Sequence, residues 1–533
     1  MDFNLLTSLN DNIRIDRDKC TACGRCVEVC VLDNLRLQLS PCRQACPVGM
    51  NCQGYIHHLR QGKMDKGLEK IREAVPFGRI LGRICSRPCE AACNRIRVDQ
   101  QPVAIRDLKR FLSDQDGQAW IPPMAPDRPQ KIGVVGAGPA GLTAAFFLRS
   151  GGFRVTLYDR ESAPGGLMRW AIPEFRLPLE ILNRELGFLK AMGIDFEGNR
   201  TLGKDLSLEK LEKEYDAVLL ALGAYGQSKL GVPGEEDPGI LPALGFMKSV
   251  REGKAPKVGE RVVVVGGGNA AVDAAQTALR LGARKVHLVS LEMKEEMPAF
   301  RWSVAEAGEE GVEIQNGWGP MRFRVEGKKL AGVSFKKCVA VCDSRGIFCP
   351  SYDERTTLDL PADSVILAVG QKAEREGWES SLQGPEGVLG HSLTFQTRNP
   401  KIFVAGDYRN GPRTIVDAMA QGKEAALSIQ RLLQGEDLEY GRVNPTIYEM
   451  QFEPDLSQAK TGQRVAMPSI PLSRRKDFRE VARGYSREEA KAEAERCLDC
   501  GVPFGLRTCW FCLPCEIECP EEALYVEIPY LLR

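Results

Sequence analysis

The sequence predicts an α/β protein whose middle is built on parallel sheet and whose two ends are structures of another kind. Three observations carry this reading. From residue 131 onward, short β-branched runs alternate with Gly-rich turns and Ala/Leu-rich helices, the rhythm of βαβ units. That rhythm starts twice, at 131 and again at 261. Sixteen of the 19 cysteines lie in the first 93 residues or the last 37, leaving only Cys338, Cys342 and Cys349 between them.

Length and charge bound what these parts can be. A chain of 533 residues allows about three or four domains at roughly 100–200 residues each. Lys+Arg 72 against Asp+Glu 71 leaves a net charge of +1, so there is no basic excess to bind nucleic acid. No apolar run reaches the ~18 residues that membrane insertion requires. The opening MDFNLLTSLNDNIRID has neither a basic n-region nor an apolar h-region, and the expected location is cytoplasmic. In a reducing compartment, cysteines this clustered point to metal rather than to a disulfide scaffold.

The chain opens on Cys20-x2-Cys23-x2-Cys26-x3-Cys30 and closes on Cys509-x2-Cys512-x2-Cys515-x3-Cys519-Pro520. Both are bacterial ferredoxin runs, in which three cysteines hold one [4Fe–4S] cluster and the fourth reaches across to another. Zinc is the alternative, disfavoured by the 2-2-3 spacing and the following proline. Residues 53–125 read as mostly helical, with Pro102 and WIPPMAP at 120–126 marking the exit. The polar, Pro-punctuated stretch from about 440 to 485 reads as a surface linker, and Ser486 with Glu489 forms a capping box that opens a helix leading to Cys497.

The first βαβ start is KIGVVGAGPAGL, strand, turn and helix, with Gly136, Gly138 and Gly141 in the fingerprint spacing and Asp159 ending the next strand. Such glycines let backbone approach a pyrophosphate at a helix N-terminus, and the acid accepts from a ribose hydroxyl. The second start is VVVVGGGNAAVD, with Gly266, Gly268 and, in the third place, Ala271; its next strand ends at Glu292. An acid there favours the 2′-hydroxyl of NAD over the 2′-phosphate of NADP, although a merely solvated Glu is the competing reading.

Together with DAVLLALGA at 216–224 and IFVAGD at 402–407, these units resemble the two-dinucleotide-binding flavoproteins, in which an NAD(P) domain is inserted into an FAD domain. The stretches APGGLMRWAIPEFRLP (163–178), VVVVGGGNAAVDAAQTALRLGA (262–283), EEMPAF (295–300), ILAVGQ (366–371) and IFVAGDYRNGPRTIVDAMAQGKEAA (402–426) resemble the glutamate synthase small-subunit family. That family includes the N-terminal half of dihydropyrimidine dehydrogenase and the flavin subunit of ferredoxin-dependent transhydrogenases. The resemblance spans roughly 41–435. It implies FAD at Gly136, Gly138, Gly141, Asp159, Gly166, Gly370, Gly406 and Asp407, with Asp407 on the ribityl chain, and NAD(H) at Gly266, Gly268, Ala271 and Glu292. NADPH-using members carry an Arg-Arg pair before the EEMP element where this chain has Leu291-Glu292, so NADP(H) is the less favoured nucleotide. No redox Cys-x2-Cys lies near the flavin segment, so electrons leave by another route.

Segment by segment, the expectation is a ferredoxin-like half at 1–40, a helical iron–sulfur domain at 41–125, FAD-binding parts at 126–255 and 386–440 around an NAD domain at 256–385, linker and helix at 441–495, and a second ferredoxin-like half at 496–533. The two ends are expected to meet as a split two-cluster module: Cys20, Cys23, Cys26 and Cys519 for one cluster, Cys30, Cys509, Cys512 and Cys515 for the other, with IRID and ALYVEI as outer strands. The family's helical motif normally begins with a Cys-x2-Cys just before Cys42. Here Cys497 and Cys500 stand in for it, and with Cys42 and Cys93 make a third cluster. Cys46, Cys85 and Cys89 match the second cluster of the family's helical domain, whose last ligand is often Glu or Gln; Lys109 stands near that place, so Cys52 is the candidate fourth ligand. Cys338, Cys342 and Cys349 read as structural thiols in a hairpin rather than a fifth cluster, and His57 and His58 as helix-surface residues.

The function implied is an NAD(H)-dependent flavin and iron–sulfur oxidoreductase subunit with four [4Fe–4S] clusters, in a hetero-oligomeric complex and an anaerobic metabolism. Its partner is a ferredoxin or a larger redox enzyme. The alternatives are an NADPH-dependent glutamate synthase small subunit and a wiring subunit that does not react with nucleotide. No side chain is expected to act as nucleophile or base.

Overall fold

The structure, a computed structural model, describes residues 12–31, 34–116, 120, 122–327, 329–374, 380, 382–383, 389–442, 448–449, 456, 459–505, 509 and 512–527. The opening stretch read for targeting lies at 1–11, outside them, except for its last residues. Among the described residues no helix is long and apolar enough to cross a membrane. The chain forms two compact units, Met1–Trp120 with Gln434–Pro468 and Gly484–Arg533, and Ile121–Leu433 with Ser469–Arg483.

The second unit holds the α/β middle. Its first sheet has the order Ile402–Val404, Ala217–Leu220, Lys131–Val135, Arg154–Tyr158, Asp195–Glu197, all parallel. Four of the five residues of Lys131–Val135 are buried, the near-continuous apolar run of a strand covered on both faces. Pro139 opens the following helix, Pro139–Ser150, where its missing N–H and fixed φ suit the first turn.

A second parallel sheet runs Glu313–Asn316, Lys285–Ser290, Arg261–Val265, Ser364–Leu367, Ile240–Pro242. Between the sheets the chain crosses on an antiparallel pair, Gly226–Gln227 with Gln371–Lys372. The inserted part therefore takes in Ile240–Pro242 and ends by Gln371, ahead of the expected boundaries at 256 and 385. A three-residue strand ending in proline carries no alternation by which sequence could place it. The meander Trp318–Glu326, Lys329–Cys342, Phe348–Pro361 completes the insertion, with Cys338 buried and Cys342 and Cys349 exposed.

The polar stretch expected as one linker divides between the units. Residues 469–483 close on themselves through Ser469 and Ala482 and fasten to the α/β unit, where Val481 N donates to Phe175 O (3.0 Å) and Arg280 Nε to Asp477 O (3.0 Å).

The first unit is helical and is closed by strands from opposite ends of the chain. Helices Cys52–Arg60, Met64–Ala74, Gly78–Ile84 and Ile105–Asp114 form its body. A Cβ at Gly82 would lie 2.6 Å from Arg110 Cα, so the third and fourth of these helices can meet only with glycine there. Ile13–Ile15 pairs antiparallel with Leu524–Val526, Ile13 opposite Val526 and Ile15 opposite Leu524. Leu35–Gln38 pairs antiparallel with Val502–Gly505 and parallel with Tyr448–Glu449. Ala22, Val27, Leu35, Leu37 and Leu524 bury together between these strands.

Helix Arg487–Ala494 begins at the capping box, Ser486 Oγ accepting from Glu489 N (3.2 Å) and Glu489 Oε2 from Ser486 N (2.7 Å). Its last turn carries Glu493, fully buried, which accepts from Ala104 N (2.8 Å), Val465 N (2.7 Å) and Arg496 Nη1 (2.7 Å). Arg496 also donates to Asp99, Gln101 O and Gly462 O. Cys497 is thus delivered from an anchored frame.

Candidate redox centres

At the first glycine turn, Gly136 has φ +109° and a Cβ on it would come 2.1 Å from Ala221 O; one on Gly141 would come 1.8 Å from Gly136 O. Only hydrogen fits. Gly138 precedes the N-terminus of Pro139–Ser150 and faces Gly166, whose φ is +52° and whose Cβ would fall 2.7 Å from Gly138 Cα. Two bare backbones thus flank a helix N-terminus, the cradle a pyrophosphate needs. Asp159 is buried with Oδ2 accepting Ala137 N (2.6 Å) and Oδ1 accepting Glu161 N (2.8 Å). Burial raises its pKa. Both oxygens are tied to the turn, and a ribose would share their remaining lone pairs.

The returning strand brings Gly406 and Asp407 to the same helix end. Gly406 N donates to Gln421 Oε1 (3.0 Å), and a Cβ on Gly406 would meet Ala140 Cβ at 3.0 Å. Asp407 accepts from Arg413 N (3.1 Å), and burial pushes its carboxyl up to about 6. Gly370, at φ +107°, lies on the crossing between the two sheets.

The second turn repeats the plan. Gly266, at φ +143°, would place a Cβ 2.4 Å from Ala368 O, while beyond Gly268 there is open space at the start of helix Asn269–Arg280; Ala271 is buried in it. Glu292 lies against this turn, its Oε2 2.3 Å from where a Gly267 Cβ would be. That oxygen is buried and has no hydrogen-bond partner among the described residues. The Glu292 carbonyl accepts from Ser290 Oγ (2.9 Å) and Gly317 N (3.1 Å), which fixes the residue in place.

Sequence reasoning missed what supports this turn. Asn269 Oδ1 accepts from Phe300 N (3.1 Å) and Gly267 O from Ala299 N (3.0 Å), so the EEMPAF stretch caps the glycine loop. Arg176, from the PEFRLP stretch, pairs with half-buried Asp273 and donates to Gln276 Oε1 (2.8 Å) and Ser303 Oγ (2.6 Å). Both stretches carry the family resemblance, and the arginine within PEFRLP is the signal in the sequence that marks this support.

The sixteen terminal cysteines gather as neighbours from both ends. Cys20 and Cys26 face Cys23 and Cys519; Cys515 faces Cys509, Cys512 and Cys30. Cys500 faces Cys42 and Cys93, and Cys497 faces Cys42 and Cys500. Cys52 reaches Cys42, Cys46 and Cys89, while Cys85 faces Cys89 and Cys46. Burial pushes some of the thiols up, Cys20 and Cys515 to about 11 and Cys500 to about 12, so binding iron there must displace protons, whereas hydrogen bonding with Cys52 lowers Cys42 and brings Cys46 to about 6. Backbone amides already aim at sulfur: Ala22 N at Cys20 (3.4 Å), Asn34 N at Cys30 (3.2 Å) and Ala523 N at Cys519 (3.3 Å). Such donors suit a thiolate ligand. Among the described residues no three His, Cys, Asp or Glu side chains converge at single-ion spacing.

His57 and His58 depart from the surface expectation; each is 1% exposed. His57 Nε2 lies 2.9 Å from Asp18 O and Nδ1 3.5 Å from Asp499; His58 Nε2 lies 3.2 Å from Glu521 Oε1. Two of the residues covering that helix face, Asp499 and Glu521, lie more than 400 positions away, which no local pattern reveals.

Comparison with known proteins agrees with these features. The model of the pyridine nucleotide-disulphide oxidoreductases matches residues 130–422, and that of dihydropyrimidine dehydrogenase domain II, 4Fe-4S cluster, matches 10–120. The NADP(+)-dependent formate dehydrogenase subunit beta of Moorella thermoacetica is 34% identical over 86% of this chain and 70% of its own. The NAD-dependent dihydropyrimidine dehydrogenase subunit PreT of Escherichia coli O157:H7 is 34% identical over 74% of this chain and 92% of its own. The glutamate synthase [NADPH] small chain of Escherichia coli K12 is 31% identical over 78% and 90%. Among solved structures, Mycobacterium tuberculosis FprA in complex with NADPH superposes with a TM-score of 0.50 at 19% identity, covering 58% of this chain and 85% of that one, a likeness of fold.

Proposed function

Because the chain belongs to the glutamate synthase small-chain-like pyridine nucleotide-disulphide oxidoreductases, an iron–sulfur flavoprotein family reacting with NAD(P)H, we propose that it is the NADH-linked subunit of a larger redox complex. In this reading it passes electrons from NADH through FAD and four [4Fe–4S] clusters to a ferredoxin or a partner subunit. The observation that carries the nucleotide assignment is Glu292, whose buried Oε2 lacks a partner beside the second glycine turn. A ribose 2′-hydroxyl satisfies that oxygen by donating to it, whereas a 2′-phosphate is repelled.

Gly136, Gly138, Gly141 and Gly166 would hold the FAD pyrophosphate against the N-terminus of Pro139–Ser150, with Asp159 at its ribose and Gly406 and Asp407 at its ribityl chain. FAD bound there supplies the exchange between the two-electron chemistry of a nicotinamide and the one-electron chemistry of clusters. Gly266, Gly268 and Ala271 would seat the nicotinamide nucleotide, and the Arg176–Asp273 pair holds that helix in register with the PEFRLP stretch. The four cysteine groups are the exit path, and the support for assigning four is that each set holds thiols that neighbour one another, with Cys52 lying also against Cys42 of the adjoining set.

The relatives' names divide between NAD and NADP, so the test is direct. Anaerobic titration of the iron-loaded protein with NADH should bleach flavin absorbance, and NADPH should do so at least tenfold less effectively. Equal or better reduction by NADPH refutes the Glu292 argument, and no reduction by either supports the wiring role instead.

A further inference from the structure

Lys109 is a lysine where charge is hardest to keep. It lies on helix Ile105–Asp114 with 5% of its surface exposed. The helix's carboxylates are committed elsewhere: Asp107 to Arg106 (3.1 Å) and Arg464 (3.7 Å), Asp114 to Arg83 (2.9 Å) and Arg110 (3.3 Å). Among the described residues Lys109 forms no ion pair with a carboxylate. What surrounds its ammonium is sulfur. Burial works against its charge, and the side chains that act on it most strongly are those of Cys85, Cys89, Cys46 and Cys52.

An isolated buried ammonium is strongly unfavourable and persists only beside compensating negative charge. A [4Fe–4S] cluster held by four thiolates carries net negative charge and gains one more negative charge with each electron it accepts. We propose that Lys109 is the counter-charge of the cluster held by Cys46, Cys52, Cys85 and Cys89, and that it raises this cluster's reduction potential. The inference rests on the four-cluster reading above and adds a residue that binds no iron. Lys109 donates no electron pair to the metal; it stabilises the reduced form, which carries one electron more, by Coulomb attraction in a low-dielectric site.

The test is an EPR-monitored redox titration of the full-length, iron-loaded protein with Lys109→Met and Lys109→Arg, beside iron and flavin analysis. Lys109→Met with its iron intact should lower one cluster potential by an amount equivalent to about a tenfold or larger shift in its reduction equilibrium, ~59 mV for a one-electron couple; Lys109→Arg should leave it near the parent value. If Lys109→Met keeps its iron and every potential is unchanged or raised, the proposal is overturned. Should Lys109→Met shed one cluster, retention of that cluster by Lys109→Arg supports the role of charge, and equal loss in both variants overturns it. The parent's iron content separates the two levels: about sixteen irons per chain is the four-cluster reading, and about twelve, with no cluster at the Cys46 group, sinks that reading before the lysine is tested.

Discussion

Replacing Glu493 with alanine should undo the anchor that presents Cys497 and Cys500. The carboxylate is fully buried and accepts three hydrogen bonds, two from backbone amides at Ala104 and Val465 and one from Arg496. Alanine leaves the two amides without acceptors in a dry site, each unfavourable by about 1–3 kcal/mol. Arg496 keeps Asp99 and the carbonyls of Gln101 and Gly462, so the full penalty for orphaning a buried charge does not apply. The sum is about 3 kcal/mol, roughly a hundredfold in the local folding equilibrium. Urea unfolding followed by visible cluster absorbance reads this unit directly, and iron analysis should fall by about four per chain if Cys497 and Cys500 ligate as proposed. Glu493→Gln, which keeps one acceptor oxygen but turns an amide donor toward a donor, should fall between the two. A loss under about 1 kcal/mol with iron unchanged refutes the reasoning, because it would mean that water or a shifted backbone satisfies those amides.

Three further outcomes follow from the geometry. Gly166→Val, forced to φ +52° with its Cβ 2.7 Å from Gly138 Cα, should abolish stoichiometric flavin on purification while leaving iron in place; a full flavin complement would show that this cradle does not hold the pyrophosphate. In flavin-free protein the Asp407 carboxyl stays protonated up to about 6 in the folded state against 3.8 for the ordinary group. The folded state therefore binds more protons between those values, and stability falls as pH rises through them. Asp407→Asn should accordingly raise the melting temperature above about pH 6 and have no effect below 3.8; an increment independent of pH would contradict the burial argument. Replacing Cys338, Cys342 and Cys349 together by serine should leave iron per chain unchanged, and a loss of iron would make the hairpin a ligand site.

What sequence could disclose follows the range of the interactions involved. The glycine turns, the strands beside them and the capping box at Ser486 are local, each set by a few neighbouring residues, and each lies where the spacing places it. The pairing of Ile13–Ile15 with Leu524–Val526 spans the chain, yet it was legible because the cysteine runs on either side are two halves of one familiar spacing. His57 and His58 were misread for the opposite reason. Their partners, Asp499 and Glu521, are ordinary acids with nothing to mark them as long-range neighbours of a helix near residue 57. Ile240–Pro242 and the 469–483 strap escaped in the same way, since their backbone partners lie on Ser364–Leu367 and at Phe175.

The joining of the two ends has a consequence for how the protein is made. On the proposed ligand sets, three of the four clusters need a cysteine at or beyond Cys497, while ten thiols up to Cys93 leave the ribosome far earlier. At ribosomal speeds of about 5–20 residues per second, the wait is roughly 20–80 s. Throughout that interval the early thiols have no C-terminal partners to form cubanes with, and are open to oxygen, to stray metal and to one another. On those sets, three of the four clusters can be completed only after the last cysteines are made, so iron delivery to them follows synthesis.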